Sequence, residues 1–194
     1  MGLNVRHREK LPTKGPAIIV ANHNSHLDTL VLMTLLPWSL INRIHPVAAM
    51  DYFMRNRLIA WFSTKILGII PLSRRKKEGE SFDDRLAGVF QGLRDNQILI
   101  LFPEGSRGEP EVLTEFKSGI AYISEKNPEV PIYPVFLHGL GKALPRGEML
   151  LVPFFLDVFV GDLIEWEGSQ EQLLVALNQR MEKLGAENNF PAWD

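Results

Sequence analysis

The stretch Ala17-Ile18-Ile19-Val20-Ala21-Asn22-His23-Asn24-Ser25-His26-Leu27-Asp28 decides the fold, because an apolar run passes directly into a polar loop. The apolar run predicts a buried strand. The loop leads into a helical pattern over residues 27–36, which Pro37 ends and for which Asn24 or Ser25 is the expected N-cap. A strand followed at once by a helix is typical of α/β folds.

The same alternation of short apolar runs and longer amphipathic segments continues along the chain. We therefore predict an α/β fold with a mixed, largely parallel sheet flanked by helices and with catalytic loops at the strand ends. We expect a single domain over residues 1–194. Further strands are predicted at 46–50, 69–72, 98–102, 132–137 and 150–160, and further helices at 51–67, 81–94, 116–126 and 170–184.

Composition excludes several classes of function. The chain of 194 residues is 45% hydrophobic and carries a net charge of -2, which is typical of a globular protein and argues against a nucleic-acid partner. Because cysteine is absent, thiol nucleophiles, thiolate metal ligands and disulfides are excluded. Residues 1–14 lack the apolar core of a signal peptide, and no uncharged run reaches the roughly 18 residues of a spanning helix. Any contact with a membrane is therefore expected at its surface.

His23 follows the first predicted strand, and Asp28 lies in the first turn of the predicted helix. A carboxylate placed there can accept one ring N–H and leave the other ring nitrogen free to take a proton, as in a general base held by an acid. Two other interpretations stay open: Asp28 and its neighbours could only cap the helix, or His26 could join the pair in a metal site, although no fourth ligand is near. A serine hydrolase is not supported, because G-x-S-x-G is absent.

A second polar loop, Phe102-Pro103-Glu104-Gly105-Ser106-Arg107-Gly108, ends another predicted strand. Its glycines would let backbone N–H groups approach an anion, and Arg107 could bind a phosphate through two hydrogen bonds. By itself the loop could also be a surface turn. The extended segment from Gly68 to Arg74 ends in a basic run that would either bind phosphate or be solvated. Residues 130–135, Val-Pro-Ile-Tyr-Pro-Val, indicate only an edge strand or a bend.

Taken together, these four segments resemble the glycerolipid acyltransferases, in particular the 1-acyl-glycerol-3-phosphate acyltransferase (PlsC-like) group. The family's motifs N-H-x-x-x-x-D, G-x-x-x-x-x-R, F-P-E-G-[ST]-R and a Val-Pro-containing strand occur here in that order between positions 22 and 135. The motif-bearing part thus covers residues 15–140, approximately. Each motif alone is weak, but the first and third at this spacing are specific.

The resemblance implies that His23 removes the proton from an acceptor hydroxyl, which then attacks the thioester of acyl-CoA or acyl-carrier protein. Asp28 would orient His23 and stabilise its cation. The favoured acceptor is the lysophospholipid 1-acyl-glycerol-3-phosphate, which would give phosphatidic acid, and no metal or cofactor is implied. Backbone N–H groups around Gly105 are a candidate donor to the thioester oxygen. The implied substrate-binding residues are Arg74, Glu104, Gly105, Ser106 and Arg107, with Ser106 replacing the commoner threonine.

A lipid substrate would have to be reached at the membrane surface. Residues 50–72 combine aromatic side chains, among them Trp61, with basic residues in a way that suits an interfacial segment. Residues 30–40, with Trp38, are a second candidate. The alternative is a helix packed on the sheet. We expect a cytoplasmic protein that is peripheral on the inner face of the membrane. Two other functions use the same features: an acyl-thioester hydrolase that uses the His23 and Asp28 pair, and a non-catalytic lipid-binding module.

Overall fold

The computed structural model describes residues 2–25, 27–49, 61, 67–73, 79–105, 113–143 and 155–187. The strands in these ranges are β1 (Gly2–Arg6), β2 (Ala17–Ala21), β3 (Ile44–Ala49), β4 (Ile70–Leu72), β5 (Ile98–Leu101), β6 (Ile132–His138) and β7 (Phe155–Val160). The helices are α1 (Leu27–Leu35), α2 (Phe82–Arg94), α3 (Gly119–Lys126), α4 (Leu140–Ala143) and α5 (Gln170–Gly185), with short 3₁₀ turns at Arg8–Lys10 and Trp38–Arg43.

The described strands form a seven-stranded sheet in the order β1-β7-β6-β2-β5-β3-β4. The pairs β1–β7, β3–β4 and β3–β5 are parallel, whereas β6–β7 is antiparallel. The predicted α/β class with a mixed, largely parallel sheet is therefore confirmed. The chain divides into two compact units, one of residues 1–11, 20–28 and 102–194 and the other of residues 12–19 and 29–101. The expectation of a single domain stays a prediction.

In the unit of residues 12–19 and 29–101, helix α2 packs against β4 and β5. The helix begins at a capping box, in which the Ser81 hydroxyl accepts the Asp84 N–H and the Asp84 carboxylate accepts the Ser81 N–H. Its buried face is Leu86, Val89, Gly92 and Leu93, which recur at helical spacing.

In the other unit, helix α5 packs against β6 and α3. Its buried side chains are Leu173, Leu177, Met181 and Leu184, again at a helical period. Strand β6 lies between β7 and β2, so the expectation of an edge strand at residues 130–135 is wrong. The two prolines are tolerated because Pro131 precedes the strand and Pro134 precedes the residues Val135–His138 that pair with β7.

Strand β1 was not expected from the sequence. The strand lies at the end of the sheet and its first residues are exposed. An exposed strand does not need the apolar run by which a buried strand is recognised in a sequence. The predicted helix at 116–126 begins only at Gly119. Almost all of the predicted helix at 51–67 and the first residues of the strand at 150–160 lie outside the described residues. None of the described helices has the length and apolarity needed to cross a bilayer.

Candidate active site

The loop that follows β2 is held against β6 by two asparagine side chains. Asn22 makes a two-point contact with the backbone of Leu137: its Nδ2 donates to the carbonyl oxygen at 2.8 Å, and its Oδ1 accepts the N–H at 2.7 Å. Asn24 Nδ2 donates to the same carbonyl oxygen at 3.0 Å. All of these bonds are buried, so the residue between the two asparagines, His23, has a fixed backbone.

The structure brings His23 and Asp28 together as the sequence predicts. His23 Nδ1 lies 2.9 Å from Asp28 Oδ2. The same oxygen accepts the backbone N–H groups of Asn24 at 2.7 Å and Ser25 at 2.8 Å. Asp28 is fully buried, with 0% exposure, whereas the His23 side chain is 21% exposed. With the Nδ1 hydrogen donated to the carboxylate, Nε2 is the ring nitrogen that carries a lone pair and can take a proton.

Asp28 can cap the helix and hold His23 as a base at the same time, so these two interpretations are compatible. The Asp28 carboxylate satisfies two backbone N–H groups at the start of α1 and accepts from His23 at the same time. The His23 ring also stacks on Phe102, with ring centroids 4.2 Å apart and an interplanar angle of 23°. A ring with one nitrogen bonded and one face covered has few orientations left, which is what a positioned base requires.

The alternative metal site has no support from the part of the chain that the structure describes. There, no group of three histidine and acidic side chains is arranged to hold a metal ion. His26, the third member of the metal set considered above, lies outside the described residues.

Glu104 lies at the turn after β5 and is only 4% exposed. Burial raises the pKa of its carboxyl from 4.5 to about 7, and the nearby negative charge of Asp28 adds to the rise. The backbone N–H groups of His23 and Thr114 and the Thr114 hydroxyl oppose this shift. Their contacts are not well-formed hydrogen bonds, because within the described residues neither carboxyl oxygen has a partner of good geometry. Glu104 is therefore a buried acid beside the His23 backbone, which its sequence context did not reveal.

Gly105 has a left-handed backbone, with φ of 75°, a conformation that favours glycine. Its N–H donates to the carbonyl oxygen of Phe102 at 3.0 Å and so closes the turn. This N–H is already engaged, which weakens its candidacy as the donor to a thioester oxygen. The predicted substrate residues Arg74, Ser106 and Arg107 lie outside the described residues, and their roles stay predictions.

The segment that leads to Arg74 is anchored at its start. Gly68, with φ of 61°, presents its carbonyl oxygen to His45 Nδ1 at 2.7 Å. A side chain at position 68 would collide with that ring, since an ideal Cβ would lie 2.7 Å from His45 Nδ1. Glycine is therefore favoured at position 68 both by its left-handed backbone and by the closeness of the His45 ring.

The chain is similar in sequence to known acyltransferases. A family model described as Acyltransferase matches residues 2–138. The chloroplastic 1-acyl-sn-glycerol-3-phosphate acyltransferase LPAT1 of Arabidopsis thaliana is 30% identical over 146 residues, 75% of this chain and 38% of the relative. The 1-acyl-sn-glycerol-3-phosphate acyltransferase alpha of Mus musculus is 29% identical over 138 residues, 70% of this chain and 45% of the relative. The chain thus spans less than half the length of these curated relatives.

A solved structure shares the fold. The 1-acyl-sn-glycerophosphate acyltransferase PlsC from Thermotoga maritima superposes with a TM-score of 0.78 at 20% sequence identity, covering 100% of this chain and 74% of that chain. The likeness confirms the α/β architecture.

Proposed function

Because the chain belongs to the acyltransferase family, we propose that it moves a fatty acyl group from a thioester donor to the hydroxyl of a lysophospholipid. The proposed acceptor is 1-acyl-glycerol-3-phosphate, for which the Arabidopsis and mouse relatives are named, and the product is phosphatidic acid. The observation that carries the proposal is the 2.9 Å contact between His23 Nδ1 and the buried Asp28 carboxylate. A protein that only bound lipid would have no need of a base oriented in this way.

In the proposed reaction, His23 Nε2 takes the proton from the acceptor hydroxyl as its oxygen bonds to the thioester carbonyl carbon. The tetrahedral intermediate then breaks its carbon–sulfur bond, and the imidazolium returns the proton to the leaving thiolate. Asp28 stabilises the imidazolium, and the N–H groups of Asn24 and Ser25 keep its charged oxygen in place. A positioned base of this kind contributes about 10²–10⁴-fold to the rate.

Glu104 is proposed to contact the phosphate or glycerol of the acceptor, together with Arg74, Ser106 and Arg107. A carboxyl whose pKa is about 7 is partly protonated at neutral pH. In that form it can donate a hydrogen bond to a phosphate oxygen instead of repelling it. The same protonated state is compatible with a buried position that has no cationic hydrogen-bond partner among the residues that the structure describes.

A donor and acceptor panel tests the proposal. Purified protein is given acyl-CoA or acyl-carrier protein with lysophosphatidic acid, glycerol phosphate or another lysolipid, and products are identified by mass. We expect thiol release to depend on lysophosphatidic acid. Thiol release without any acceptor would favour the thioester hydrolase, and lipid binding without product would favour the binding module.

Variants at two histidines separate a catalytic from a general effect. His23→Ala should lower kcat by about 10²–10⁴-fold, whereas His7→Ala, which changes an exposed histidine, should not. Full activity in His23→Ala would refute the role of the base.

We also propose that the protein is cytoplasmic and binds peripherally to the inner face of the membrane. Trp38 is 83% exposed and Trp61 is 58% exposed, and an exposed tryptophan is typical of segments at the membrane interface. Arg43 closes the 3₁₀ turn that Trp38 begins, which suits an anionic surface.

Co-sedimentation with phosphatidylglycerol vesicles tests this surface. Trp38→Glu and Trp61→Glu should reduce the bound fraction, whereas Val175→Glu, on a half-exposed position of α5, should not. Equal binding by all variants would rule out these two tryptophans as the contact.

A further inference from the structure

Lys117 is a basic residue outside the four motifs, yet it lies against the loop of the third motif. Its backbone N–H donates to the carbonyl oxygen of Pro103 at 3.0 Å. Its side chain crosses Gly105 so closely that a Cβ at that glycine would lie 2.6 Å from Nζ, 3.2 Å from Cδ and 3.3 Å from Cε. The missing side chain at position 105 therefore provides the room that the lysine occupies.

This contact places the ammonium group of Lys117 beside Gly105, in the loop of the third motif. The methylene groups of a lysine can lie along a neighbouring surface while the charged end stays in water, and Lys117 is exposed. Among the described residues, none of the ion pairs includes Lys117. Its charge is thus available to a ligand.

The position of the loop indicates which part of a ligand would meet that charge. Phe102 stacks on the His23 ring, and Glu104 approaches the His23 backbone. Gly105 is the next residue along, so an anion above it would lie beside the proposed base but not on it. In a lysophospholipid, the phosphate is separated from the reacting hydroxyl by the glycerol carbons, which suits this offset.

We propose that Lys117 binds the phosphate of the acceptor above Gly105, an inference that rests on the proposed function. An ammonium group is a compact charge and an effective phosphate ligand. Lys117 would act as a substrate-binding residue that distinguishes phosphorylated from neutral acceptors. Its contribution would add to that of the arginines in the motifs.

The test compares Lys117→Met, Lys117→Arg and the control Lys126→Met with two acceptors. Lys126 ends α3 and lies over the Tyr122 ring, so the control removes the same charge away from the loop. With lysophosphatidic acid, Lys117→Met should raise KM roughly 10- to 100-fold, the range for a hydrogen bond to a charged group. With monoacylglycerol, KM should change little. Lys117→Arg should recover part of the loss, and the control should match the wild type.

Equilibrium dialysis with glycerol 3-phosphate gives a second measurement that does not depend on turnover. Wild-type protein should bind it more tightly than Lys117→Met. If the wild type acylates lysophosphatidic acid but Lys117→Met keeps its KM and its affinity for glycerol 3-phosphate, the phosphate contact is wrong and the proposed function stands. An equal fall of kcat with both acceptors would instead assign Lys117 to the thioester oxygen. If no acceptor is acylated but dialysis shows the difference, the contact stands and the proposed function fails.

Discussion

Replacing Glu104 by glutamine should stabilise the protein at alkaline pH and leave its stability unchanged at acid pH. Glutamine resembles the protonated carboxyl in shape and polarity but cannot ionise. The buried position of Glu104, at 4% exposure, raises the pKa of its carboxyl from 4.5 to about 7. Folding therefore favours the protonated form, and the stability that this proton contributes is lost as pH rises from 4.5 to about 7.

The sign and size of the effect follow from linkage. Between pH 4.5 and about 7 the folded state keeps a proton that the unfolded state has released, so the free energy of unfolding falls as pH rises. Each pKa unit corresponds to 1.36 kcal/mol, so the wild type should lose about 3 kcal/mol across this window. Glu104→Gln should lack that loss. The difference between the two proteins is expected to be near zero below pH 4.5 and close to its full value at pH 8.

Urea denaturation of both proteins at several pH values between 4 and 8.5 measures this difference, and other titrating groups cancel in the comparison. Glu129→Gln, at an exposed position, is the matched control and should follow the wild type. A constant difference between Glu104→Gln and the wild type across the whole pH range would refute the reasoning. So would a difference that grows toward acid pH.

Three further substitutions test separate parts of the structure. Asp28→Asn should lower kcat about 10³–10⁴-fold, because an amide neither fixes the His23 tautomer nor stabilises its cation; a loss under tenfold, in protein that folds normally by circular dichroism, would contradict the role of Asp28. Asn22→Ala should lower the free energy of unfolding by about 2–4 kcal/mol in urea, since it removes both contacts to Leu137 and leaves a buried N–H unpaired. Ser81→Ala should lower it by about 1 kcal/mol through loss of the helix cap, with kcat unchanged.

Those parts of the fold that bury a continuous apolar run could be predicted from the sequence. Strands β2, β5 and β6 carry such runs, and each was placed within about two residues, the usual uncertainty of an element boundary. Strand β1 could not be predicted in this way, because it gains its place by pairing with β7, some 150 residues later. Pairing partners at that distance leave no local signal.

The candidate site likewise has a part that depends on local sequence and a part that depends on distant contacts. The pair His23 and Asp28 could be predicted because both residues lie in one short segment whose geometry is local. The contact of Asn22 with Leu137 joins residues 115 positions apart, so the sequence does not reveal this role of Asn22 and suggests Asn24 only as a possible N-cap. The burial of Glu104 and the approach of Lys117 to Gly105 likewise depend on tertiary packing. Periodicity and motif spacing do not encode contacts of this kind.

Two carboxyl groups approach His23 in different environments, and the proposed function gives them different roles. Asp28 Oδ2 accepts three hydrogen bonds, two of them from backbone N–H groups, which hold it in one position. Glu104 is buried without a well-formed bond among the described residues and has a pKa of about 7. Two carboxyl groups in such different environments commonly take different tasks in one site. Asp28 would thus hold the imidazolium, while Glu104 would offer a proton to the acceptor.

This division predicts how acceptor affinity changes with pH. As pH rises above 7, Glu104 loses its proton and places a negative charge beside the acceptor phosphate, so the KM for lysophosphatidic acid should rise. The phosphate also titrates near neutral pH, with a second pKa of about 6, but it does so equally in Glu104→Gln. The ratio of the wild-type KM to that of Glu104→Gln isolates the carboxyl, and it should increase between pH 6 and 8.5. A ratio that stays constant over that range would show that Glu104 does not face the phosphate, and would leave its burial as a purely structural feature.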